Sequence, residues 1–454
     1  MSSHWILERL ASFGKKPAMI WHGRTLAYQA LCESIGQQID VLKDSGIGAG
    51  RVVAMCGDYS PCACAFFFAA IANRNVLVPL TAATSGSHDR FTRISEATAH
   101  AHFDAYDKMH LTLLSGKVAH PLLQEIAARR AAGLVLFTSG STGAGKAVLL
   151  DLDKLLCKFN QQRPARRTLV FLQLDHIGGI NTMLHVLING GTLVTARGRT
   201  VEAVSATIDN QSVELLPTTP TFLRMMLIGD VASRYSLQSL NMITYGTEPM
   251  PESTLAAARQ AMPWVRFKQT YGLSELGILP SRSESADSTW IRLGSEGFGT
   301  RVVDGVLWIK SPMAMLGYLN APSPFMQDGW FNTNDAVEVR GGYLRILGRN
   351  SEFINVGGEK VHPAEVENVL LTMENVRDVA VFGCHSPITG QVVCARVTLE
   401  RHEDAGDLKQ RLRAYCKDRL QAYKIPVRVE VTQKVQHSYR FKKMRDTAES
   451  PLRH

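Results

Sequence analysis

Short apolar runs alternate with helical repeats along most of the chain. Val52-Val53-Ala54-Met55, Val76-Leu77-Val78-Pro79, Leu134 to Phe137, Leu169-Val170-Phe171-Leu172 and Thr192-Leu193-Val194 have the length and boundaries of buried strands. Between them, Leu149 to Phe159 and Met183 to Ile188 carry apolar residues at three-to-four spacing, which predicts helices. Such alternation predicts parallel sheets covered by helices, an α/β fold. Near residue 300 the texture changes. Val302 to Ile309 and Gly342 to Leu347 read as hairpin-like strands of a small β-barrel or distorted sheet. After Gly348-Arg349 the pattern starts afresh. Pro363 opens a helix with acids nearby, Val379 to Phe382 and Val392 to Val397 read as strands, and Leu408 to Leu420 is a basic amphipathic helix. This predicts a compact α+β domain over 349–454 after a larger domain over 1–348.

Composition narrows the class. With 45% hydrophobic and 20% charged residues among 454, the chain reads as globular. A net charge of +9 suits an anionic ligand. The basic clusters Arg163, Arg166, Arg167 and Arg440, Lys442, Lys443, Arg445 lack interleaved aromatics, so a solvated face or a phosphate site is expected and a nucleic-acid partner is not. Eight scattered cysteines form no C-x-x-C pair, which argues against zinc and against a disulfide scaffold, and points to a reducing cytoplasm. The first residues lack the order of a signal peptide, and the longest apolar run, Cys62 to Ala72, is too short to span a membrane.

The chemistry concentrates in Thr138-Ser139-Gly140-Ser141-Thr142-Gly143-Ala144-Gly145-Lys146, where seven of nine residues are Gly, Ser or Thr. It follows the strand-like run Gly133 to Phe137. A glycine-rich turn after a strand offers backbone N–H groups, and its hydroxyls and lysine suit a polyphosphate. The loop is close to the nucleoside-triphosphatase pattern, but Ala147 stands where that pattern needs a metal-binding hydroxyl. An ordinary linker, or a P-loop-like hydrolase or switch protein, remains open on these residues alone.

Four more segments follow: Tyr271-Gly272-Leu273-Ser274-Glu275; Gly329 to Asp335, with an Asp after a strand; Gly348-Arg349-Asn350-Ser351-Glu352 with Gly357-Gly358 to Pro363; and Tyr423-Lys424-Ile425-Pro426 with Lys442 and Arg445 beyond. In this order and spacing they resemble the adenylate-forming superfamily, of acyl- and aryl-CoA ligase type, over nearly the whole chain. The resemblance implies a large N-terminal domain of two αβ layers plus a small β-barrel, with a smaller mobile domain over it. It implies a two-step reaction: a carboxylate attacks the α-phosphate of ATP to give an acyl-adenylate, and a thiol then displaces AMP.

The resemblance also assigns roles. The loop Thr138, Ser139, Gly140, Ser141, Thr142, Gly143 and Lys146 would hold the ATP phosphates, with Mg2+ on Ser141 or Thr142 and Glu275. Gly246, Thr247, Glu248, Tyr271 and Gly272 would lie about the adenine, and Ser274 would also belong to the ATP site. Asp335 and Arg349 would take the ribose, and Lys442 would bridge the attacking carboxylate and the α-phosphate. His176, Ile180, Thr218, Thr219, Gly246, Leu276 and Gly277 would line the acid pocket. The Asp that binds the α-amine in amino-acid-activating members is out of register at Asp175, so an amino-acid substrate is not expected. Ser351 would be the hinge, and Gly357 and Gly358 would border the thiol channel. The implied partners are ATP, Mg2+, a small carboxylic acid and coenzyme A. An acyl carrier protein is the alternative acceptor, and the chain would be a monomer or homodimer. The acid is expected to be aryl or of medium length.

Several positions depart from the family pattern: Gly145 for proline, Ala147 for glycine, Ser274 for threonine, Asn334 for glycine, and Ser351 for an acidic or basic hinge. Phe441 replaces a glycine and Lys443 an aliphatic residue. Phe441 threatens to displace Lys442 and to slow adenylation, which would suit a degenerate nucleotide binder.

Overall fold

The structure, a computed structural model, describes residues 4–138 and 145–445. Two mainly parallel sheets carry the N-terminal part. In one, the strands Val52–Cys56, Val76–Leu80, Ala99–Phe103 and Gly133–Thr138 run parallel, with Lys146–Asp151 returning antiparallel. In the other, Arg167–Leu169, Thr192–Val194, Leu215–Thr218, Met242–Tyr245 and Arg266–Gln269 run parallel. The largest core joins residues of both sheets through the helices Tyr28–Asp44, Pro61–Ala72 and Ile177–Ile188. Pro61–Ala72 is apolar on every side because it lies inside this core, and it starts cleanly because Ser60 accepts from the Ala63 N–H with Pro61 in the first turn.

A third sheet, of six antiparallel strands, occupies the place of the expected small barrel. Its end strands, Ser281–Ser283 and Gly299–Val303, do not pair with each other, so it is an open sheet. A separate core lies under the sheet of Ile354–Val356, Glu359–Val361, Val376–Ser386, Gly390–Leu399 and Arg428–Val431. The helices Pro363–Leu370 and Ala405–Lys417 supply its other side.

Three local readings are corrected. Leu149 to Phe159 is not one helix: Lys146–Asp151 is a strand and only Leu152–Leu156 is α-helical, because Asp151 caps the helix by accepting from the Asp153 and Lys154 N–H groups. The strand at Leu169 ends there, and Val170 to Leu172 continue as irregular chain. Asp335 lies inside the strand Phe331–Arg340, paired with Arg349, and the register shifts just beyond it, between Ala336 and Val337. The cysteine reading also needs correction. Cys384 and Cys394 sit diagonally on neighbouring strands and are joined as a disulfide; at a sequence separation of 10, spacing gave no sign of it. The remaining six cysteines are free. Among the described residues no helix is long and apolar enough to cross a membrane.

Candidate active site

The parallel strands Arg167–Leu169, Leu215–Thr218 and Met242–Tyr245 end on one edge of their sheet, and the residues just past those ends form the site. Phe171, His176, Thr219 and Thr247 project there. Gly246 is required to be glycine: a Cβ would stand 2.6 Å from the Thr270 carbonyl oxygen. Thr247 holds a left-handed backbone at φ 74°, a strained conformation for a β-branched residue and one that turns the chain sharply at the strand end.

The C-terminal tail folds onto this edge. Ser438 and Lys442 close a tight turn, with the Ser438 N–H donating to the Lys442 carbonyl at 2.8 Å and the Phe441 N–H to that of Ser438 at 2.9 Å. Phe441 takes the left-handed φ of 52° that explains the family's glycine. Its ring does not displace Lys442. It packs against Phe171, Phe222 and His437 with centroids 4.9, 5.2 and 5.3 Å away. The Thr219 hydroxyl donates to the Phe441 carbonyl at 2.7 Å while accepting from the Phe222 N–H as a helix cap. Glu248 accepts from the Thr221 and Lys443 N–H groups at 2.8 and 3.1 Å. Glu248 therefore ties the tail to the sheet edge.

The tail's basic cluster is mostly paired. Arg440 meets Asp175 at 3.4 Å, Lys443 meets Asp378 at 3.1 Å, and Arg445 meets Glu367 and Glu352, each at 2.9 Å. Lys442 is the exception: among the described residues its ammonium makes no hydrogen bond or ion pair. It borders a cavity of about 20 Å³, room for one water, together with His176, Thr219, Thr247 and Arg440. Burial lowers its pKa, Glu248 opposes this, and Arg349 and Arg440 add to it.

His176 caps the helix Ile177–Ile188, with Nδ1 accepting from the Gly178 N–H at 3.1 Å. Burial first, then Lys442 and Arg440, holds its pKa well below the usual value, so the ring is neutral. With Nδ1 occupied as acceptor, the proton resides on Nε2. His176 is thus a hydrogen-bond donor in the site.

A second group lies beside the first. Asp335 is 7% exposed and accepts from the Tyr271 hydroxyl at 2.5 Å, with Arg349 Nε at 3.2 Å. Burial raises its pKa, against which Arg349 and Tyr271 act. Glu275 accepts from the Tyr318 hydroxyl at 2.8 Å, and the Lys146 ammonium lies over the Tyr318 ring, 5.1 Å from its centre. Tyr318 had no sequence signal of its own.

Other expected positions are placed as follows. Ser139, Gly140, Ser141, Thr142 and Gly143 lie outside the described residues. Thr138 ends its strand and pairs with Lys146. Gly272 belongs to the short hairpin strand Tyr271–Leu273, and Ser274 follows it. Ile180 and Leu276 are fully buried in two different cores. The Thr218 hydroxyl is buried without a partner. Ser351 lies in the short turn Asn350–Glu352. Gly357 and Gly358 form an exposed turn between the strands Ile354–Val356 and Glu359–Val361, with φ of 61° and 98°. Asp175 is spent on Arg440 and on the Thr81 hydroxyl, at 3.1 Å.

Residues 6–319 match the AMP-binding enzyme family, and residues 365–442 match the AMP-binding enzyme C-terminal domain. The chain belongs to the AMP-binding enzyme family. It is thereby a member of the adenylate-forming superfamily, of aryl/acyl-CoA ligase type. It is 28% identical to an indoleacetate–CoA ligase of Aromatoleum aromaticum, covering 94% of this chain and 93% of that one. It is 26% identical to a feruloyl-CoA synthase of an Amycolatopsis species, covering 95% of each. An anthranilate CoA ligase solved with anthranoyl-AMP shares the fold at a TM-score of 0.84 and 21% identity, covering 98% of this chain and 95% of that one.

Proposed function

We propose that this AMP-binding enzyme is an AMP-forming acid–thiol ligase that adenylates a small carboxylic acid and passes the acyl group to coenzyme A. The unpaired Lys442 ammonium facing a neutral, Nε2-protonated His176 carries this reading. A carboxylate placed between them meets one cation and one N–H donor, which hold it without removing its charge. The Asp335–Tyr271–Arg349 group takes the ribose of ATP. The carboxylate oxygen attacks the α-phosphorus, the bond to the bridging oxygen breaks, and pyrophosphate leaves. Lys442 stabilises charge shared by the two groups in the transition state. Glu275, a hard oxygen donor beside Lys146, suits the Mg2+ that accompanies ATP.

The second step needs the tail removed. The separate core of the C-terminal part supports a rigid unit over 349–454 turning about Ser351, against a larger unit over 1–348. That turn brings Gly357 and Gly358 to the site, where the coenzyme A sulfur attacks the acyl carbon, its proton departs and AMP leaves. The relatives named for indoleacetate and ferulate support an aryl acid. Incubation with ATP and aryl acids, with either coenzyme A or a holo carrier protein, tests the acceptor: thioester on coenzyme A is expected, and thioester only on the carrier would overturn it.

A pH profile separates Lys442 from the other cations. Because the folded pKa of Lys442 lies below the ordinary 10.5, the ammonium is lost earlier as pH rises. The basic limb of kcat/KM for adenylation is therefore expected below that value, since kcat/KM reports the free enzyme. Lys442→Arg should move the limb upward at lower overall rate, because arginine stays protonated. An unmoved limb would remove Lys442 from this role.

A further inference from the structure

The seat of the tail is irregular chain. The strand Arg167–Leu169 has ended before Phe171, and the Phe171 and Leu172 carbonyls accept from side chains of distant segments. Arg199 Nε donates to the Phe171 carbonyl at 2.8 Å, and the Tyr59 hydroxyl donates to that of Leu172 at 2.9 Å. A Cβ on Gly179 would run into the Gln173 carbonyl oxygen, so the helix Ile177–Ile188 closes tightly on the next residue.

Arg199 is itself clamped. It follows the strand Thr192–Val194 and stands just before Thr200, the cap of the helix Val201–Gln211. Its Nη1 and Nη2 donate to the two carboxylate oxygens of Asp58, at 2.7 and 2.9 Å. Asp58 lies just past the strand Val52–Cys56 of the other sheet. Two parallel N–H···O bonds fix the plane of the guanidinium as well as its position, and Nε is then aimed at one carbonyl.

What this holds is the Phe171 ring. It packs against Phe222 and Phe441 with centroids 4.2 and 4.9 Å away. Phe171 and Arg199 line both the small Lys442 cavity and a neighbouring cleft of about 450 Å³. Beside the ring there is thus room into which irregular chain can relax, and the Arg199 and Tyr59 side chains tie its backbone. We propose that Asp58 and Arg199 are a positioning pair for adenylation: they set Phe171 as the seat of Phe441 and thereby hold Lys442 at the site. A chain with glycine at that position has no ring to seat, so the need for the pair belongs with Phe441. This rests on Lys442 acting in adenylation, as in the proposed function.

A double-mutant comparison tests it, with adenylation read as acid-dependent pyrophosphate release at saturating ATP and aryl acid. Arg199→Met is expected to slow this step by about 5- to 30-fold, the span of coupling between neighbouring groups, and to leave thioester formation from a preformed acyl-adenylate at its rate. In a Phe441→Gly background the same substitution should cost less than about 2-fold. The pair is partly exposed, with side chains 26% accessible at Arg199 and 52% at Asp58, so the melting temperature should hardly move. Asp58→Ala should repeat the pattern and serves if Arg199→Met does not fold. No slowing, an equal loss in both backgrounds, or equal slowing of both half-reactions would overturn the proposal while leaving the ligase intact. An adenylation rate untouched by Lys442→Ala would remove the parent reading as well.

Discussion

Lys442→Ala is expected to slow acid adenylation by about 10²- to 10³-fold, the usual cost of losing one preorganised charge donor at a transition state. Thioester formation from a preformed acyl-adenylate should keep its rate. The split follows from the geometry. In this arrangement Lys442 faces the site, and the tail is held there by Phe441, Glu248 and the Arg440–Asp175 contact. In the proposed second step the tail leaves, and its lysine would then no longer matter. The fold should survive, because the aromatic packing, and not the ammonium, anchors the turn. Acid-dependent pyrophosphate release and single-turnover acylation of coenzyme A measure the two halves. Equal slowing of both, or of neither, would contradict the assignment.

Asp335→Ala is expected to raise the KM for ATP by about 10²-fold or more, since hydrogen bonds to a charged group contribute about 1.5–3 kcal/mol each. The KM for the acid should change little. The mutation also strands the buried Tyr271 hydroxyl, which adds a cost when a polar group loses its partner. A second readout isolates the ribose contact. Wild-type enzyme should discriminate against 2′-deoxyATP, and the variant should lose that discrimination. If both enzymes discriminate alike, Asp335 does not hold the ribose hydroxyls.

Much of this was legible in the chain. The alternation of Val52 to Cys56, Val76 to Leu80 and Gly133 to Thr138 with apolar helices gave the parallel sheets, because a strand buried on both faces leaves a continuous apolar run. The motifs marked His176, Asp335 and Lys442 by position, and the fold brings His176 and Lys442 to one cavity. What failed depended on contacts distant in sequence. Phe441 looked like an obstruction because its left-handed backbone and its pocket of Phe171 and Phe222 come from three separated segments. Glu248, expected beside the adenine, also grips the tail, a contact no local signal showed. In the tail's basic cluster, read as a solvated face or a phosphate site, Asp175, Asp378, Glu352 and Glu367 pair every member except Lys442, the one the proposed chemistry sets on the α-phosphate. The Cys384–Cys394 pairing is set by strand register, which local sequence does not reveal.

The central claim is that ATP is cleaved at the α-phosphorus by a carboxylate. The most direct test is to identify the products of ATP after incubation with and without an aryl acid, in the presence of Mg2+ and coenzyme A. The account predicts AMP and pyrophosphate, formed only when the acid is present and matched by equal acyl-CoA. ADP and orthophosphate, formed whether or not the acid is added, would contradict it.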